Sequence, residues 1–207
     1  MTMVDIQLFF DRLRPSLESQ LLTGFVSLSP GDRVLEAGCG SGYISLALGW
    51  KHPFCREIVG VDIDPGAVRE AEKNRDELHT IWKGYLPPIR FQRADVGEMD
   101  TQEPRFDVLV SNPPFFSAKA SRPSPSAARR AARQDYHLAP EILMAGAGRL
   151  LNPGGRLAVV YPTLRVHEIY TRAREHAFEV IKEEIHSGVR TRNGGIRLLL
   201  MKRQEPF

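Results

Sequence analysis

Cysteine is almost missing from this chain: Cys39 and Cys55 are the only two among 207 residues. Two thiols build neither a disulfide framework nor a four-thiolate zinc site, so a reducing, cytoplasmic setting is expected. Long hydrophobic runs are missing too. None approaches the roughly 20 residues of a membrane span, so no membrane partner is expected. The opening Met1-Thr2-Met3-Val4-Asp5 lacks the basic start and apolar core of a secretory leader, and none is expected. The histidines (His52, His79, His137, His167, His176 and His186) show no ligand spacing such as H-E-x-x-H, so no metal is expected. Charge of one sign is scarce as well. Lys and Arg number 28 against 25 Asp and Glu, and a balance of +3 is too small to name a polyanionic partner. What is present, 42% hydrophobic and 26% charged residues without an internal repeat, excludes a disordered or fibrous chain.

The order of elements is legible. Asp5 to Val26 carries apolar residues at helical spacing, interrupted at Pro15. Strand patterns follow at 33–37, 57–62, 89–94, 106–111, 156–161, 178–186 and 196–202. Helical patterns occupy 43–50, the stretch from Pro65, 140–151 and 164–176, and Asn152-Pro153-Gly154-Gly155 reads as a turn. Short apolar strands alternating with helices predict an α/β fold, a seven-stranded, mostly parallel sheet with helices on both faces. A helical extension over 1–30 and a main domain over 31–207 are expected. Ligands of such sheets bind beyond the carboxyl ends of the strands, near the switch in strand order.

After the first strand stands Glu36-Ala37-Gly38-Cys39-Gly40-Ser41-Gly42. Its glycines allow a sharp turn and a close ligand approach, and the next helix begins with unpaired N–H groups. The dinucleotide fingerprint G-x-G-x-x-G fails here, because it would require glycine at Tyr43 or Ser45. An acid followed by A-G-C-G-S-G resembles motif I of the class I S-adenosylmethionine-dependent methyltransferases, which have a Rossmann-like fold. The resemblance implies S-adenosylmethionine as cofactor and assigns the strand ends. Asp62 would take both ribose hydroxyls, Ile63 would lie against adenine, and Asp95 with the Val96 backbone would meet the adenine edge. Glu36 would face the methionine ammonium group, with Ala37, Gly38, Cys39, Gly40 and Gly42 forming the loop.

Strand four ends in Ser111-Asn112-Pro113-Pro114-Phe115. N-P-P-[YF] at this place resembles the signature of enzymes that methylate adenine N6, guanine N2 or the glutamine side-chain amide. Such amino groups are poor nucleophiles because their lone pair is delocalised. The Asn112 side-chain oxygen and the Pro113 carbonyl can each accept one N–H, which orients the nitrogen and favours the charge it develops. Pro114 fixes the turn, Phe115 offers a face for a flipped base, and Asn112 also borders the cofactor. Phe116 is read as either an aid to Phe115 or loop packing.

From Asn112 to Gln134 the chain holds Lys119, Arg122, Arg129, Arg130 and Arg133 and no acid, a local charge of +5. Arg190, Arg192, Arg197, Lys202 and Arg203 form a second basic cluster. Both suit contacts to phosphates. With Ser16-Leu17-Glu18-Ser19-Gln20-Leu21-Leu22 before the first strand and Arg133-Gln134-Asp135 after the fourth, the chain resembles the bacterial tRNA (adenine-N6)-methyltransferase family. That resemblance implies an RNA substrate, a tRNA, methylated at adenine N6. The alternatives are a guanine-N2 rRNA methyltransferase, a protein-glutamine methyltransferase, and an RNA-binding module without catalysis. Cys39, Cys55, Trp50 and Trp82 are read as packing residues.

Overall fold

The computed structural model describes residues 3–100, 105–113, 138–187 and 194–204. Their elements are α1 (Met3–Arg12), α2 (Leu17–Phe25), β1 (Arg33–Ala37), α3 (Tyr43–Lys51), β2 (Glu57–Asp62), α4 (Pro65–Ile81), β3 (Ile89–Arg93) and β4 (Phe106–Ser111). The chain continues through α5 (Pro140–Leu150), β5 (Leu151–Pro162), a short 3-10 turn (Thr163–Arg165), α6 (Val166–Glu175), β6 (Phe178–His186) and β7 (Ile196–Arg203).

The seven strands form one sheet in the order β3-β2-β1-β4-β5-β7-β6. β1 pairs in parallel with β2 and β4, and β7 runs antiparallel to β5 and β6. Successive side chains of a strand point to opposite faces, and the core divides accordingly. Val34, Ile58 and Val108 meet Phe9, Leu22, Leu46 and Leu78, from α1 to α4, on one face. Their neighbours Leu35, Val59 and Leu109 meet Leu143, Met144 and Ile169, from α5 and α6, on the other. Trp50 and Trp82 pack edge to face in the first layer, with centroids 6.2 Å apart, and both cysteines are buried and free. The packing readings of these four residues hold.

The interruption at Pro15 is a sharp turn between α1 and α2. A residue before proline is disfavoured in the right-handed helical region, and Arg14 adopts a left-handed φ of 47°. Ser16 then caps α2, its hydroxyl oxygen accepting the Ser19 N–H at 3.1 Å. One expectation differs. Asn152-Pro153-Gly154-Gly155 does not precede β5 but bulges within it. Leu151 already pairs with Phe106, and pairing resumes at Arg156 with Val108.

The strand order reverses between β1 and β4. From β1 the chain leaves to α3 on one face, and the next described helix after β4, α5, lies on the other. A crevice therefore opens between their carboxyl ends. No helix among the described residues is long and apolar enough to cross a membrane.

Candidate active site

Ala37 and Ser111 are register partners at the ends of β1 and β4, and the Ser111 hydroxyl donates to the Ala37 carbonyl at 2.9 Å. The two loops that follow are thereby held side by side. The glycine loop folds back onto β2, with the Gly38 and Cys39 N–H groups both reaching the Val61 carbonyl at 2.8 and 2.9 Å. Gly40 and Gly42 have φ values of 52° and 82°, which only glycine adopts without strain. A side chain on Gly42 would meet the Phe91 ring at 2.7 Å, whereas one on Gly40 would enter open space.

Two carboxylates organise the loop. Asp62, at the end of β2, accepts the Gly40 N–H at 3.1 Å and the Asp64 N–H at 2.9 Å. Each of its oxygens keeps a further lone pair for a ligand. Glu36 is buried within β1, and its Oε2 accepts both the backbone N–H of Ser45, at 2.9 Å, and the Ser45 hydroxyl. It thus satisfies an otherwise orphaned donor in the first turn of α3. Burial pushes the Glu36 carboxyl up to about 8, the Ser45 hydrogen bonds pull it down, and nearby Asp62 raises it. Burial also pushes the Cys39 thiol far up, so it stays a packing group.

Two cavities meet at Gly38. One, of about 190 Å³, is bordered by Glu36, Gly40, Tyr43, Asn112, Ser16 and Arg14. The other, of about 20 Å³, lies among Asp62, Ile63, Asp95, Val96 and Leu138. Leu138 lines it and packs against Gly38, its Cδ1 lying 2.5 Å from where a Gly38 side chain would begin. Asp95 shapes the adjoining loop by accepting the Gly97 N–H at 2.8 Å.

The predicted residues at the ends of β1, β2, β3 and β4 are therefore gathered around one crevice. Asn112 is half-buried and Pro113 buried beside it. Pro114, Phe115, Phe116, Lys119, Arg122, Arg129, Arg130, Arg133, Arg190 and Arg192 lie outside the described residues. The remainder of the second basic cluster divides, with Arg197 opposite Tyr161 at the carboxyl end of β5 and Lys202 and Arg203 at the other end of the sheet. Arg197 bonds Glu183 and Arg203 bonds the Leu151 carbonyl. Lys202 faces Arg156 across the sheet, and because β7 is antiparallel, Lys202 and Arg203 sit at the end away from the crevice.

Sequence reasoning missed Ser45, Leu138, Asn74 and the hydroxyl pair of Ser16 and Ser19. Asn74 did carry a signal: it is a polar residue on the apolar stripe Val68, Ala71, Leu78 of α4. Its amide donates to the Ser41 carbonyl at 2.9 Å and braces the glycine loop.

Residues 28–193 match the family model described as a methyltransferase domain. The chain belongs to that family. Within it, this methyltransferase-family chain is 33% identical to the tRNA1(Val) (adenine(37)-N6)-methyltransferase of Dickeya chrysanthemi, over 80% of its own length and 63% of the relative's. The protein of the same name from Aeromonas hydrophila is 32% identical over 84% of this chain and 69% of that one. Among solved structures, TrmN from Thermus thermophilus superimposes with a TM-score of 0.65 at 24% identity, covering 89% of this chain and 48% of TrmN. The chain thus spans less than two thirds of the Dickeya relative and about half of TrmN.

Proposed function

We propose that this chain is an S-adenosylmethionine-dependent N-methyltransferase acting on the exocyclic amino group of a nucleobase in RNA, adenine N6 of a tRNA. The observation that carries the reading is the placement of Asn112, the first residue of the Asn-Pro-Pro-Phe run, on the same cavity as Glu36 and the glycine loop. The names of the curated relatives support the choice of adenine and tRNA.

The described residues fit the cofactor. The open space beside Gly40 admits close approach, Glu36 suits an ammonium group, and Asp62 suits a neutral diol. Ile63 and Leu138 offer apolar contact to a purine, with Asp95 and Val96 at its edge. When bound, S-adenosylmethionine supplies an electrophilic methyl group on a sulfonium centre. The Asn112 oxygen and the Pro113 carbonyl accept the two N–H bonds of the target amino group and aim its nitrogen. Both acceptors favour the positive charge that develops as the nitrogen turns sp³. The methylated cation releases its proton readily, so no strong base is required beforehand. Lys119, Arg122, Arg129, Arg130 and Arg133, with Arg190 and Arg192, supply cations for RNA phosphates.

The test is incubation with labelled S-adenosylmethionine and unmodified total RNA, followed by nucleoside mass spectrometry. N6-methyladenosine in the tRNA fraction is expected. N2-methylguanosine, or label in protein instead of RNA, would overturn the reading.

A further inference from the structure

We propose that Ser16 and Ser19 are positioning residues that fix the side-chain amide of Asn112 with its oxygen toward the substrate; this rests on the function proposed above. Asn112 Nδ2 donates to Ser19 Oγ at 2.9 Å and to Ser16 Oγ at 3.3 Å. The two hydroxyl oxygens lie only 3.2 Å apart, so they share one amide N–H of Asn112 in a three-centre bond and hold the amide nitrogen against a different element. An amide is planar, so holding its nitrogen also sets the direction of its oxygen. The serines are fixed in turn. Ser16 Oγ accepts the Ser19 N–H at 3.1 Å as the cap of α2, and its own proton goes to Ser19 Oγ at 3.2 Å. Ser19 Oγ then has both lone pairs occupied, by Asn112 and by Ser16.

The arrangement is built by distant parts of the chain. The cap lies just after the Arg14–Pro15 turn, and Ser16, Ser19 and Asn112 border the same cavity as Glu36 and Gly40. An asparagine free to flip would present N–H groups to a substrate N–H for part of the time. The serine pair removes that unproductive orientation, so it acts on turnover through Asn112 and not on cofactor affinity. The hydroxyls touch neither the methyl group nor the target nitrogen in this scheme.

Two measurements test this. In the first, wild type, Ser19→Ala, Ser19→Thr, Asn112→Ala and the Ser19→Ala/Asn112→Ala double variant are compared in single-turnover methyl transfer to RNA. Ser19→Ala is expected to lower the rate by about 10-fold, since small misplacements of a reacting group cost that much or more. Affinity for S-adenosylmethionine by calorimetry should stay within about twofold, Ser19→Thr should restore the rate, and the double variant should be no slower than Asn112→Ala. A wild-type rate in Ser19→Ala, or losses that add in the double variant, would overturn the proposal.

The second measurement needs no substrate. The Asn112 side-chain NH2 signals, assigned by their absence in Asn112→Ala, are followed by ¹⁵N-resolved NMR in the cofactor-free protein. They should shift and exchange faster with water in Ser19→Ala and return in Ser19→Thr. Unchanged signals would overturn the proposed contact. If wild type transfers no methyl group to RNA, the functional reading fails while the NMR comparison still decides the serine contact.

Discussion

Glu36 Oε2 accepts the Ser45 backbone N–H at 2.9 Å, so a carboxyl group buried in β1 caps the helix that follows the glycine loop. The carboxyl's ordinary value of 4.5 is raised to about 8, chiefly by burial. The unfolded chain releases this proton near 4.5 and the folded chain only near 8. The group's contribution to stability is therefore full below the lower value and is lost as pH rises to the higher one. Glu36→Gln should raise Tm relative to wild type, by more at about pH 8 than at about pH 5. Thermal melts across that range check it. With the proposed cofactor, a cationic ammonium beside Glu36 favours the ionised form. Affinity for S-adenosylmethionine should then improve in wild type as pH rises toward about 8, and Glu36→Gln should flatten that dependence.

Gly40 and Gly42 share a left-handed backbone but face different surroundings. Gly42→Ala drives a methyl group into Phe91 and against Ala71, whose Cβ lies 3.0 Å away, so a loss of about 2–4 kcal/mol of stability is expected. Gly40→Ala meets no neighbour within 4 Å. It should cost only the backbone strain, about 1–2 kcal/mol, while weakening cofactor binding disproportionately. Denaturant unfolding and calorimetry on both variants separate the two effects.

Asp62→Ala frees the Gly40 and Asp64 N–H groups as well as the proposed ribose contacts. S-adenosylmethionine affinity should fall by about 1–3 kcal/mol, the cost of buried polar groups left unpaired. Asp62→Asn, which keeps an acceptor, should lie between the two in a calorimetric titration.

Asn112→Ala should reduce the rate of methyl transfer by about 100-fold or more while cofactor affinity stays close to wild type. The amide bonds the serines and not the glycine loop. Equal losses in rate and in cofactor affinity, read by single turnover and calorimetry, would mark Asn112 as a structural residue.

Replacing Lys119, Arg122, Arg129, Arg130 and Arg133 with glutamine removes five positive charges. If these residues meet RNA phosphates, binding should weaken and the slope of log K against log salt should flatten by up to about 3–4. Filter binding over a salt series reads the slope directly, and an unchanged slope would remove the segment from the RNA interface.

Much of this molecule was legible before any coordinates. Val34, Ile58 and Val108 sit in short apolar runs that end in glycine or a polar residue, and each run became a strand ending at the crevice. The failure of the dinucleotide fingerprint at Tyr43 and Ser45 was equally plain, and Ser45 proved to be the partner of Glu36. Less legible was the bulge at Asn152–Gly155, because the pairing of Leu151 with Phe106 depends on a neighbouring strand and not on local turn chemistry. The positions of Lys202 and Arg203 were illegible for the same reason: antiparallel pairing carries these two members of the basic cluster near the C-terminus to the far end of the sheet.

Periodicity, glycine placement and the residues at strand ends are local properties, and through them the sequence alone determined the α/β class, the order of elements and the composition of the two central loops. Contacts between residues far apart in the chain belong to the tertiary structure. Only the sheet order brings Ser19 to Asn112 across 93 positions and sets Leu138 against Gly38. Only burial in β1 makes Glu36 hold its proton, because a carboxylate loses its hydration there.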